Sequence, residues 1–96
     1  MKEVVIRKKA VTELEAEGWT VWVPSKVKYQ ETDIFGVFDA ICVRGAELRF
    51  IQWTTASNMS ARKTKVKRFL IKSAALIVGE VWGLKPNKEW RKERVF

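Results

Sequence analysis

The stretch from Asp33 to Thr54, Asp-Ile-Phe-Gly-Val-Phe-Asp-Ala-Ile-Cys-Val-Arg-Gly-Ala-Glu-Leu-Arg-Phe-Ile-Gln-Trp-Thr, constrains the fold most. It reads as two apolar strands, 36–44 and 47–53, joined by a tight turn. Gly45 suits the first central position of a primed two-residue hairpin turn, because that position needs a positive φ. With Gly45 and Ala46 in the turn, Arg44 faces Glu47 as an opposite-charge pair. The same register puts Asp39 directly opposite Gln52, with both side chains on one face. That face otherwise carries Val37, Ile41, Leu48 and Phe50. A carboxylate and an amide on an apolar face are costly if buried unpaired. Either they bond each other or sit at solvated strand ends, or they form a site.

The rest of the chain falls into simple periods. Residues 3–17 pattern as a helix, with Val4, Ala10, Val11 and Leu14 on one face and Gly18 as its stop. Arg7 projects into the middle of that face, between Val11 and Leu14, where an arginine must snorkel or meet a partner. Trp19 to Val23 alternates as a strand ending at Pro24, and 24–32 reads as a polar loop. After the hairpin, residues 54–58 connect to a second helix, capped by Ser57 or Asn58 and running to about Ser73. Met59, Val66, Phe69 and Leu70 form its apolar face, and Arg62 projects onto the same buried side. Residues 75–84 form a further strand, Pro86 and Asn87 a turn, and 89–96 a last, edge-type strand. The expected architecture is α/β (α+β), with residues 1–96 as a single domain. Its order is α-β-β-β-α-β-β, with a central mixed sheet of about five strands flanked by two helices.

Composition narrows the chemistry. Ninety-six residues allow one small core, and 47% hydrophobic residues are enough to build it. No segment approaches the ~20 apolar residues of a membrane span, so no membrane partner is expected. The first residues lack the apolar core of a signal peptide. The single cysteine, Cys42, excludes an internal disulfide, fits a reducing cytosol and reads as a small packing residue. With no histidine and one cysteine, a structural zinc site and a histidine-based triad are excluded. Any metal would be a hard cation on carboxylates.

Nineteen Lys and Arg against eleven Asp and Glu give a net charge of +8. That favours a polyanionic partner, nucleic acid first. The charge is concentrated. Arg62, Lys63, Lys65, Lys67, Arg68 and Lys72 fall within eleven residues that contain no acid. Singly each reads as part of a solvated helix face. Together they form a candidate surface for a nucleic-acid backbone. Of the five tryptophans, most are expected in packing, and one as a stacking platform.

The element order, with Asp39 on the second strand, Gln52 on the third and a basic helix after it, resembles the PD-(D/E)xK nuclease superfamily. The likeness is to small Holliday-junction-resolvase-like proteins of archaea, bacteria and their viruses. It rests on Asp33-Ile-Phe-Gly-Val-Phe-Asp39, on Phe50-Ile-Gln52-Trp-Thr54-Thr55 and on Ser60-Ala-Arg62-Lys63-x-Lys65. It spans about residues 3 to 94, and it implies a restriction-endonuclease-like fold. It also implies a Mg²⁺ or Mn²⁺ site on Asp39, Gln52 and Asp33, a DNA substrate and a homodimer, for which the last strand and Trp90 offer an edge. Asp39 matches the family's strand-two aspartate, and Gln52 takes the place of the motif's Asp/Glu, as in some nuclease branches. Thr54 stands where the family's lysine would be, so Arg62 or Lys65 from the following helix would supply the cation. Arg7 falls near the first-helix acid of the resolvases.

Two readings stay open. One is a metal-dependent endodeoxyribonuclease with Asp39, Gln52, Arg62 and Lys65 as its catalytic set. The other is an inactive nuclease-fold protein that binds DNA or another protein, as a viral or accessory interaction module. In the second case Arg7 and Arg62 would converge on Asp39 and Gln52 as a charge-paired cluster.

Overall fold

The computed structural model describes residues 3–24, 33–74 and 77–95. Its elements are α1 (Glu3–Ala16), β1 (Thr20–Trp22), β2 (Ala40–Arg44), β3 (Glu47–Thr55), α2 (Met59–Ser73), β4 (Gly79–Leu84) and β5 (Trp90–Val95), with a 3₁₀ turn at Ala56–Asn58 between β3 and α2. The order matches the one expected from sequence, and the fold is α+β. The five strands lie in one sheet in the order β1-β2-β3-β4-β5. Every neighbouring pair is antiparallel except β3 and β4, which run parallel with α2 as their crossover.

The hairpin register is the predicted one. Arg44 pairs with Glu47 and Ala40 with Ile51, which continues to Asp39 beside Gln52. Gly45 takes φ +61 while Ala46 is not in the positive region, the II′ pattern.

Period-two alternation divides the core between two layers. Ile51 and Trp53 join Ala40, Cys42, Trp82 and Leu84 beneath the Ile6–Ala10–Leu14 stripe of α1. Phe50 and Val81 join Phe38, Met59, Val66 and Leu70 of the α2 layer. The α2 layer is close. A Cβ at Gly79 would lie 2.6 Å from a Val66 methyl, and one at Gly83 would lie 2.9 Å from the Ala56 Cα and collide with Met59. Both glycines sit on the α2 side of β4, where only a missing side chain lets the helix approach.

Four expectations need correction. The strand predicted over 36–44 begins only at Ala40. Residues 33–39 form a tight turn closed by Ile34 and Phe38, with φ +57 at Phe35 and +68 at Gly36. Two consecutive positive φ values cannot extend, and the turn buries Val37 and Phe38 together instead of alternately. The strand expected over 75–84 is Gly79–Leu84; residues 75 and 76, like most of the 24–32 loop, lie outside the described residues. The buried stripe of α1 is Ile6, Ala10 and Leu14, while Val4 is 59% exposed. Small Ala10 between two large residues lets the helix axis sit close to the sheet, and Arg7 falls half-buried at the border of the stripe. Leu48 is exposed, because α2 packs over β3, β4 and β5 and not over the far end of the hairpin. No described helix is long and apolar enough to cross a membrane.

Candidate functional site

At the end of β3 the chain turns through Ala56–Asn58 into α2. Strand end and first helical turn together wall a cleft of about 360 Å³, lined by Asp33, Asp39, Gln52, Thr54, Asn58 and Arg62 among others. Asp39, Gln52 and Thr54 are all buried, and Gln52 retains only 2% of its surface. Among the described residues, the fold thus gathers its fully buried polar side chains in one place.

Each is held by backbone geometry. The Asp39 N–H donates to the Ile51 carbonyl at 2.8 Å, and the Asp39 Oδ2 accepts the Trp53 N–H at 2.8 Å. Those bonds fix the carboxylate where β2 begins. Gln52 follows on the facing strand, yet its Oε1 is buried with no hydrogen-bond partner among the described residues. An acceptor left in that state costs about 1–3 kcal/mol. A donor or a cation entering the cleft would relieve it.

The donor set is oxygen throughout: carboxylates from Asp33 and Asp39, the amide oxygen of Gln52 and the Thr54 hydroxyl. It suits a hard divalent cation. Among the described residues no three acidic, cysteine or histidine side chains cluster for a metal. A cation here would therefore need the Gln52 oxygen, or water, to complete its shell.

The other candidates separate clearly. Arg62 lines the cleft, half-buried, on the α2 side. Arg7 lines a narrow crevice behind it with Asp33 and Asp39. The two arginines thus flank the acids from opposite layers. Lys65 is half-buried and is not among the residues lining the cleft. Lys63 and Lys67 line a different cleft, against β5. Arg68 and Lys72 are exposed on the outside of α2. Asn58 holds the N-cap position of α2 but makes no side-chain cap bond. Of the five tryptophans, Trp22 is the exposed one, at 57%. Trp90 packs its ring 5.4 Å from that of Trp82, so it fills the α1 layer.

A second polar group lies near the other end of β3, and sequence reading did not single it out. Arg49 grips Glu80 through two bonds, at 2.7 and 2.6 Å. Its guanidinium lies 4.8 Å from the Trp19 ring centre and 5.5 Å from that of Trp82. Arg44 covers Trp19 at 4.3 Å and Lys92 covers Trp82 at 4.0 Å, which makes an alternating ladder of cations and rings. Burial pushes the Glu80 carboxyl up, but the bonds from Arg49 and the Trp82 indole pull it further down, so it ends below its ordinary value. The same bond raises the Arg49 guanidinium. Burial pushes the neighbouring Cys42 thiol up to about 11, which leaves it an inert packing group. The available signal was Glu80 itself, an acid within an apolar run.

No protein-family model matches this chain, and no curated protein matches it.

Proposed function

We propose that this chain is a nuclease-like nucleic-acid-binding protein, in which the Asp39–Gln52 cleft receives a divalent cation and a phosphodiester. The observation that carries this reading is the buried, unpartnered Gln52 Oε1 beside the anchored Asp39 carboxylate. Asp39, Gln52 and Asp33 would hold Mg²⁺ or Mn²⁺, which when bound would polarise a phosphodiester and acidify a water. Arg62 offers a planar fork of donors to the non-bridging phosphate oxygens. The Trp53 N–H keeps the Asp39 carboxylate oriented. The acid-free basic run of α2 supplies sequence-independent attraction to the backbone.

A second reading is binding without cleavage. Thr54 favours it, because a buried hydroxyl lines the cleft where the nuclease motif would place a lysine. The deciding experiment incubates the protein with linear and branched DNA and with RNA, in Mg²⁺ and in Mn²⁺, beside Asp39→Asn. Metal-dependent cleavage by the wild type and none by the variant supports the nuclease. Equal inertness with salt-dependent binding supports the second reading. No cleavage and no binding at low salt removes both.

A further inference from the structure

On the opposite flank of α2 lies a cleft of about 410 Å³ between the helix and β5. Its helix wall is Ser60, Lys63, Thr64 and Lys67, a single stripe at i, i+3, i+4 and i+7. Its strand wall is Arg91 and Glu93. This stripe and the Asn58–Arg62 pair of the first cleft stand roughly 170° apart around the helix axis. No single α2 side chain serves both.

The charge in this cleft is unbalanced. The Lys63 Nζ lies 2.7 Å from one Glu93 oxygen and the Arg91 Nε 3.2 Å from the other. One carboxylate therefore holds two cations side by side, and Lys67 adds a third. Lys63 first, then Arg91, keeps the Glu93 carboxyl below its ordinary value, so it stays charged and the cations stay in place. Cations gathered beyond their counter-charge attract a polyanion. The strand-to-helix turn joins the two clefts: Thr55 lines the first, Ala56 and Ser57 the second, and the Thr55 and Ser57 hydroxyls share a hydrogen bond of 3.1 Å.

We infer that the α2–β5 cleft is a second phosphate subsite, which carries the sugar–phosphate backbone of the nucleic acid whose scissile or anchored phosphate enters the Asp39–Gln52 cleft. Lys63, Lys67 and Arg91 are its phosphate contacts, and Glu93 offsets part of the charge of two of them. The strand passes from one cleft to the other over the Thr55–Ser57 turn. This inference rests on the nucleic-acid reading above.

The test is fluorescence anisotropy of labelled oligonucleotides against the full chain between about 50 and 200 mM salt. It compares the wild type with the double variant Lys67→Gln, Arg91→Gln, with Glu93→Gln and with the double variant Lys8→Gln, Lys9→Gln on α1, a control that removes the same two charges. The double variant is expected to bind about tenfold or more weakly at low salt, and to lower the salt slope by about two contacts' worth. Glu93→Gln is expected to bind more tightly than the wild type, and the Lys8→Gln, Lys9→Gln control to bind as the wild type does. Lys67→Glu, at an exposed position, carries the test if the double variant does not fold by circular dichroism. If the wild type binds and the cleft variants match it in affinity and slope, the subsite is wrong and the nucleic-acid reading stands. If the wild type does not bind, the nucleic-acid reading fails and takes the subsite with it.

Discussion

The two halves of β3 carry polar groups of opposite character. Near its start, Arg49 meets Glu80 with two bonds and is sandwiched between Trp19 and Trp82. Near its end, Gln52 stands beside Asp39 with a buried oxygen that no described residue satisfies. The first group is matched charge for charge within the chain. The second holds the Asp39 carboxylate through the Trp53 N–H but leaves the Gln52 oxygen beside it without a donor among the described residues. A polar cluster that the fold completes holds the fold, and one that the fold leaves incomplete is where a ligand gains most.

The largest effect should come from breaking the completed end. Arg49→Met leaves Glu80 half-buried without its partner and is expected to cost about 3 kcal/mol. That lowers the Tm by about 15 °C for a chain of this size, read by calorimetry. Nucleic-acid binding should change little at equal folded fraction. At the other end, Asp39→Ala strands the Trp53 N–H and is expected to cost about 2 kcal/mol, whereas Asp39→Asn keeps the acceptor and most of the stability. Both should lose divalent-cation binding. A stability loss in Asp39→Asn as large as in Asp39→Ala would mean that the charge, and not the hydrogen bond, anchors this end.

Acid should expose the Arg49 end selectively. The folded Glu80 carboxyl lies below its ordinary value of 4.5, so the unfolded chain binds this proton first. The pair's contribution is complete above that value and is lost as pH falls through the folded one. Chemical denaturation between about pH 5 and pH 3 should show the wild type losing stability more steeply than Arg49→Met. Parallel profiles would remove the pair from the account. The smallest effect has the opposite sign. Gln52→Leu removes the orphaned oxygen and should stabilise the chain by about 1 kcal/mol while abolishing the site.

How much of this was legible in the sequence differs between the same two regions. The Asp39–Gln52 register could be read because Gly45 fixes the turn, and a turn fixes every later pair in its hairpin. The Arg49–Glu80 grip could not, since it joins strands that meet only after the α2 crossover, 31 residues apart. No local rule sets that register. The turn at 33–39 was hidden for another reason. It needs a left-handed backbone at Phe35, where the residue type gives no sign of it, and only Gly36 marks it. Arg62 was correctly placed on the inner side of α2, while the split of the basic helix into two clefts depends on where β5 lies beside it. The spacing of Gly79 and Gly83, which share one strand face, is the remaining trace of the helix's close approach.

The most direct measurement is a Mn²⁺ titration by calorimetry of the wild type, Asp39→Asn and Gln52→Leu, each shown to be folded by its melting curve. The expected result is saturable binding of one ion by the wild type, its loss in both variants, and a Gln52→Leu protein that melts no lower than the wild type. Binding by Gln52→Leu equal to that of the wild type, or no binding by the wild type at all, would contradict it.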